Sequence, residues 1–243
     1  MPEQLPFTKL LNHLFGGLAN SLLNAVHAPH LAAAPIPNYV AMQVLVVIGL
    51  IVVFAVVRMR LSVESPGGLQ HTFEGMRGFI VGQSREIIGN HSEGFTAFLV
   101  TLGLFIVICN LLGLVPWFES PTATPSVPLG CAIVAFIYYN AQGIKHAGPL
   151  KYAKHFAGPM PVLAPLMVPI ELISHLARVM SLTIRLFANM FAGDMVTLVF
   201  FSLVPIGIPL VFLGLHIAVS LLQAYIFVLL TTVYLAGAVA EEH

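Results

Sequence analysis

The chain has 243 residues, of which 58% are hydrophobic and only 8% charged, against roughly 25% charged in an ordinary soluble domain. Ten Lys and Arg balance ten Asp and Glu, so there is no basic footprint for nucleic acid and too little polar material for a soluble surface. A mean hydropathy of +0.94 and several long apolar runs point instead to an all-α polytopic membrane protein, because in lipid a helix satisfies its own backbone groups.

The segment 1–39 opens with MPEQLPFTKLLNHLFGG. It lacks a basic region followed by a long apolar stretch and a small-residue cleavage site, so it reads as mature chain outside the membrane. Residues 40–57 are apolar apart from Gln43 and are closed by Arg58 and Arg60, a length that crosses a bilayer core. Residues 69–90 mix apolar positions with Glu74, Arg77, Arg85 and Glu86, which predicts an amphipathic helix lying on the membrane surface. Two further spans are expected at 96–115, ended by Pro116, and at 128–142, with the loop WFESPTATPSV between them. Beyond a basic loop with Lys145, Lys151 and Lys154, apolar character runs from 161 to 203. At 1.5 Å per residue about 40 residues measure about 60 Å, twice the hydrocarbon thickness, so this helix must be strongly tilted or kinked. Residues 208–239 form a second long span after a turn at Pro205 and Gly207. The expectation is one membrane domain of five transmembrane helices plus an interfacial helix. Basic residues follow the first and third spans, whereas the loops at 116–127 and 204–207 carry none. That asymmetry puts the N-terminus outside and the C-terminal AEEH in the cytoplasm. Cys109 and Cys131 fall within apolar runs and read as small hydrophobes.

Eight of the ten basic residues lie in loops and tails; Arg178 and Arg185 stand within the long apolar run, with Glu171, His175, Asn189 and Asp194. A charge at the bilayer centre costs from about 3 to more than 10 kcal/mol. Arg178 reads equally well as functional or as a residue that merely pairs or snorkels, but Arg185, seven residues deeper, reads as functional. At about 100° per residue, Glu171, Ser174, His175, Arg178, Ser181, Arg185 and Asn189 share an arc of about 120°, with Asp194 on the opposite face. In the last helix His216, Ser220, Gln223, Thr231 and Tyr234 share an arc of about 80°. Two such stripes facing a common space make a polar path between apolar helices. There is no Gly-rich phosphate loop, no nucleophile with a base at workable spacing and no cluster of metal ligands, so nucleotide binding, hydrolysis, metal and cofactor chemistry find no support. Carboxylates, imidazoles, amides and hydroxyls beside one permanent cation suit ion translocation, of protons in particular.

The segment SLTIRLFANMFAGDMV, residues 181–196, resembles the signature of subunit a of the membrane (Fo) sector of ATP synthase. IELISHLARVM before it, LHIAVSLLQAYIFVLLTTVYL at 215–235 and NLLGLVPWFESPTA at 110–123 support the resemblance. It implies that the two long helices lie against a rotating ring of c subunits, each bearing a mid-membrane carboxylate. Arg185 matches the essential arginine that faces this ring, favours the ionised carboxylate and blocks a direct leak. Asn189 matches a supporting asparagine one turn on. Glu171, Asp194, His216 and Gln223 match positions of the aqueous half-channels, with Asp194 and His216 on the outer side, while His175, Arg178, Ser181, Ser220 and Tyr234 remain supporting polar positions. The implied protein is a non-catalytic stator and proton channel of a bacterial inner membrane. Its implied partners are the c ring, the b-subunit peripheral stalk and lipid, with no nucleotide. Thr124 and Pro125 stand where many relatives carry an asparagine after S-P-T-A, so that loop is given no ion-path role. Asp194 is one methylene shorter than the common alternative. A proton-coupled secondary transporter or antiporter is the rival reading, but the repeated halves and matched broken helices it predicts are missing from the sequence. A purely structural anchor is the third. His216 favours protons over sodium, since imidazole relays protons readily.

Overall fold

The computed structural model describes residues 4–25, 35–62, 67–89, 92–115, 118–149, 152, 164–203 and 207–239. The start of the chain, the loop residues Lys151 and Lys154, positions 161–163, Pro205 and the C-terminal AEEH lie outside the described residues. Seven α-helices stand among those described: α1 Pro6–Ala25, α2 Asn38–Met59, α3 Gly68–Ile88, α4 Glu93–Leu112, α5 Ser126–Ala147, α6 Ala164–Leu203 and α7 Ile208–Val239. A single 3-10 turn, Pro121–Ala123, leads into α5. Five of the helices, α2, α4, α5, α6 and α7, are long and apolar enough to cross a membrane. The protein is a multi-pass, all-helical membrane protein.

Hydropathy left 1–39 without a helix, yet α1 occupies much of that segment. Asn12 holds it, exchanging two hydrogen bonds of 2.9 Å with the backbone of Ile36, while Gly16 faces Pro35. Pro37, extended at φ −74°, ψ 162°, precedes α2. Ala41, Met42, Val46 and Leu50 make the buried side of α2, and most of the remainder faces outward as lipid demands. In α3 the spacing of Phe73, Met76 and Ile80 turns one face onto α4 and α7, with Glu74, Arg77, Arg85 and Glu86 exposed. Gly89, at φ 88°, ends this helix in a region that a side chain would disfavour. The exposed pair Arg85–Glu93 at 2.6 Å links α3 to α4; at such exposure it contributes little.

Helix α4 begins three residues before the expected span, with Glu93 complementing the N-terminal dipole, and ends at Gly113. Helix α5 runs through 126–147 rather than 128–142, because Lys145 and His146 in its last turn stabilise the carboxyl end. A polar residue beyond the hydrocarbon does not stop a helix. Helices α6 and α7, of 40 and 32 residues, measure about 60 and about 48 Å.

The largest core cluster joins four helices: Leu102 and Ile106 of α4, Cys131, Ala132 and Ala135 of α5, Leu182, Leu186 and Met190 of α6, Ala224 and Phe227 of α7. In lipid this association rests on close van der Waals fit rather than on escape from water. Glycines set that fit. A Cβ on Gly103 of α4 would lie 3.0 Å from Val228 Cγ2, and one on Gly143 of α5 would lie 2.5 Å from the Tyr152 ring and 2.9 Å from the Ala238 carbonyl oxygen. Gly143→Leu is therefore expected to lower the thermal unfolding temperature of the purified protein, through overpacking of about 1–3 kcal/mol. Gly130→Leu, where a side chain meets open space, should leave it near wild type.

Candidate functional site

Helices α6 and α7 run antiparallel in one register. Going down α6 and up α7, Phe200 stacks on Phe212 at 4.1 Å, Asp194 meets His216, Met190 accepts from Ser220 at 3.7 Å, Asn189 donates to Gln223 at 2.7 Å, and Arg178 lies over the Tyr234 ring at 5.3 Å. The polar stripes recognised on each helix meet at Asn189–Gln223 and Arg178–Tyr234, whereas His216 and Ser220 of α7 reach Asp194 and Met190, which lie off the α6 stripe.

Arg185 stands near the middle, half-buried at the edge of the contact. Its Nη2 donates to Ser181 Oγ at 3.2 Å, and no carboxylate among the described residues lies within ion-pair distance of it. Beside it on the outward face are Ser181, Ala188 and Ala192, all small and exposed. An unpaired guanidinium thus borders a strip where another helix can approach closely.

On one side of Arg185 a cluster forms around Glu171. The carboxylate oxygen Oε1 lies 3.3 Å from His175 Nε2 and 3.8 Å from Arg178 Nη2. The imidazole is 6% exposed, and its Nδ1 is 2.9 Å from the hydroxyl of Tyr139 on α5. Nearby, Tyr152 donates to Asn140 at 2.8 Å. Burial raises the Tyr152 phenol above its ordinary value, opposed by the Arg178 guanidinium. Arg178 thus pairs with a carboxylate of its own helix.

On the other side Asp194 Oδ1 lies 3.7 Å from His216 Nε2. The imidazole is 4% exposed, and neither ring nitrogen has a hydrogen-bond partner among the described residues. A cleft of about 310 Å³, lined by Asn189, Gly193, Thr197, Phe212 and His216 among others, opens beside it. Space of that size with unsatisfied polar walls suits water. Asp194 is on the far side of α6 from Arg185, yet the wrap of α7 brings His216 to it.

A buried network went unread in the sequence. Asn110 of α4 donates to the Ser220 carbonyl at 3.1 Å, Thr122 donates to Asn110 at 2.7 Å, and Ser120 shares a hydrogen bond with Thr122 at 2.9 Å. These residues tie the loop before α5 to α7 one turn from His216. Their short polar side chains in an apolar run were the available signal. Thr231 instead spends its hydroxyl on the Phe227 carbonyl.

A family model described as the ATP synthase A chain matches residues 39–236. The chain belongs to the ATP synthase A chain family. It is 53% identical to "ATP synthase subunit a" of Koribacter versatilis (strain Ellin345), with both chains covered completely. It is 55% identical to the protein of the same description from Solibacter usitatus (strain Ellin6076), over 96% of this chain and all of the other. The match to the ATP synthase A chain family takes in α2 to α7 and leaves α1 outside.

Gly193 is what admits the buried imidazole, since a Cβ there would lie 2.9 Å from His216 Cε1 and Nδ1. Gly193→Val should expel the ring. Modification of His216 by diethyl pyrocarbonate, read by mass spectrometry, is expected to rise several-fold above wild type; an unchanged rate would show that the ring stays seated.

Proposed function

We propose that this chain is the stator proton-channel subunit of an F-type ATP synthase, non-catalytic and free of bound nucleotide. The observation that carries the reading is the placement of two acid–imidazole clusters on either side of an unpaired arginine. Glu171 lies fourteen residues from Arg185 in one direction and Asp194 nine in the other, about 21 and about 14 Å along the axis. Leu182, Leu186 and Met190 are buried between the clusters, so the polar groups do not form one continuous pore.

In this reading Asp194, His216, Asn189 and Gln223 line the outer half-channel, and Glu171 with His175 and Arg178 lines the inner one. Ser181, Ser220 and Tyr234 support them. A c-ring carboxylate passing the strip beside Arg185 loses its proton because a permanent cation favours the ionised form. Reprotonation occurs from the other half-channel, so the ring turns and the proton cannot cross without it. Each proton gains about 2.3 kcal/mol per 100 mV, and several are summed by rotation to make one ATP.

The exposed face of α6, with Ile184, Phe191 and Met195, offers the surface for the c ring. The b-subunit stalk and lipid cover the remaining helices, with α3 at the membrane surface. By the distribution of basic loops the protein sits in a bacterial inner membrane, N-terminus outside and C-terminus in the cytoplasm.

The test is ATP-driven proton pumping in inverted vesicles carrying wild type or Arg185→Ala, with passive leak through the membrane sector recorded in parallel. Pumping is expected to be abolished with the complex assembled and leak retained or increased. Normal pumping would sink the mechanism, and an unassembled complex would favour a structural anchor.

A further inference from the structure

We propose that Tyr139 and His175 are positioning residues for Glu171, forming a directed hydrogen-bond chain from α5 through α6 that holds the inner carboxylate for proton release. The inference rests on the proton-channel reading above and extends it to a residue of a third helix.

One polarity links all three groups through a neutral imidazole. A phenol donates more readily than it accepts, so the Tyr139 hydroxyl, 2.9 Å from Nδ1, donates to that nitrogen. Nδ1 is then the acceptor of a neutral imidazole, which leaves the hydrogen on Nε2. Nε2–H lies 3.3 Å from Glu171 Oε1 and donates to it. Tyr139 thereby sets the tautomer that His175 needs to reach the carboxylate, as an outer hydrogen bond commonly does for a working imidazole.

The surroundings keep this polarity. Tyr139 is 2% exposed and His175 6%, with Phe136 edge-on to the imidazole at 5.9 Å, so the ring has no space to turn over. Among the described residues, the charged and titratable groups packed around the pair include Glu171 and Arg178 on α6, Tyr234 on α7 and Tyr152 beyond α5. Arg178 approaches the same oxygen as His175, at 3.8 Å. Both contacts therefore fall on Oε1. Oε2 is left to exchange the proton: a hydronium ion arriving from the ring side protonates it, giving a neutral carboxyl group and water, and that group then passes the proton to a water on the inner side, which leaves as hydronium.

A bond that merely glued α5 to α6 predicts something different. Leucine fills a buried histidine site well, so His175→Leu would then assemble and pump normally. If the chain positions Glu171, what matters is an acceptor toward Tyr139 and a donor toward the carboxylate. Glutamine supplies both, a carbonyl oxygen and an amide N–H; leucine supplies neither.

The experiment is proton flux through the assembled complex in inverted vesicles, as ATP-driven pumping and as passive flux after removal of the catalytic sector, across a pH series. Wild type, Tyr139→Phe, His175→Leu, His175→Gln, the double variant Tyr139→Phe/His175→Leu and Arg185→Ala are compared at equal amounts of complex. His175→Leu is expected to lower flux about tenfold and Tyr139→Phe about threefold, less than the roughly 10²–10⁴-fold of a lost proton-transfer group, because these residues position such a group rather than replace it. Both should change the pH profile of flux, since a hydrogen bond that orients the carboxylate is lost. His175→Gln should recover most of the flux, and the double variant should be no worse than His175→Leu alone, because the tyrosine acts through the histidine. Equal flux and an unchanged pH profile in His175→Leu, or glutamine behaving like leucine, overturns the proposal. Arg185→Ala separates the two readings: if it still pumps, the channel itself falls, whereas its failure beside a normal His175→Leu removes only the positioning chain.

Discussion

A guanidinium with no carboxylate partner among the described residues, halfway along a helix that crosses lipid, is the constraint to which the other features answer. Its burden of about 3 to more than 10 kcal/mol at the bilayer centre is tolerable only if Arg185 sits at an edge where a polar group of another molecule can meet it. The fold provides that edge. Leu182, Leu186 and Met190 turn inward onto α4, α5 and α7, and this rotation of α6 brings Arg185 to the border of the packed face, next to exposed Ser181, Ala188 and Ala192. A quarter turn either way would bury the charge among Phe227 and Ile106 or thrust it fully into acyl chains.

The same rotation decides where the carboxylates go. Glu171 falls close to Arg185 on the helix wheel but about 21 Å along the axis, too far to pair with it, so it finds His175 and Arg178 within its own helix. Asp194 falls on the opposite side, where only α7 can supply a partner. Because α7 is antiparallel and in fixed register, that partner is His216, and the residue facing the imidazole has to be Gly193. Packing in lipid gains nothing from expelling water, so small residues at crossing points carry a larger share of the association than they do in a soluble core.

Five long apolar helices were readable because crossing a bilayer needs only length and apolar composition. Helix ends were less readable. Hydropathy stops at Gln142, whereas backbone hydrogen bonding continues in α5 to Ala147. Helix α1 was missed for a related reason: Leu10, Leu14, Leu18 and Leu22 repeat every fourth residue, and they are exposed, but the polar residues between them keep the segment below any threshold for a span. The site divides similarly. A helix wheel orders residues within α6 and within α7, so the stripes could be drawn. It says nothing about a neighbour contributed by another helix, and Tyr139, Asn110 and Thr122 enter through α5, α4 and the loop between them. Gly193 is silent in the sequence because its role is the space it leaves.

In the proposed reading, the separation of the two polar clusters is what distinguishes a rotary channel from a pore. A continuous file of hydroxyls and imidazoles from Glu171 to Asp194 would conduct protons down their gradient without turning anything. The buried face of α6 prevents this. Between His175 and the Asn189–Gln223 pair it presents Leu182 and Leu186, at 3% and 0% exposure, packed against Ile106, Ala132 and Phe227, and an apolar layer this tight holds no water. The remaining way from one cluster to the other passes Arg185, where a fixed positive charge opposes a bare proton but welcomes a carboxylate. On that reading a proton makes the passage only as the hydrogen of a neutral carboxyl group on a moving partner. The apolar seal and the cation work together: the seal closes the path inside the protein, and the cation selects what may travel along its edge.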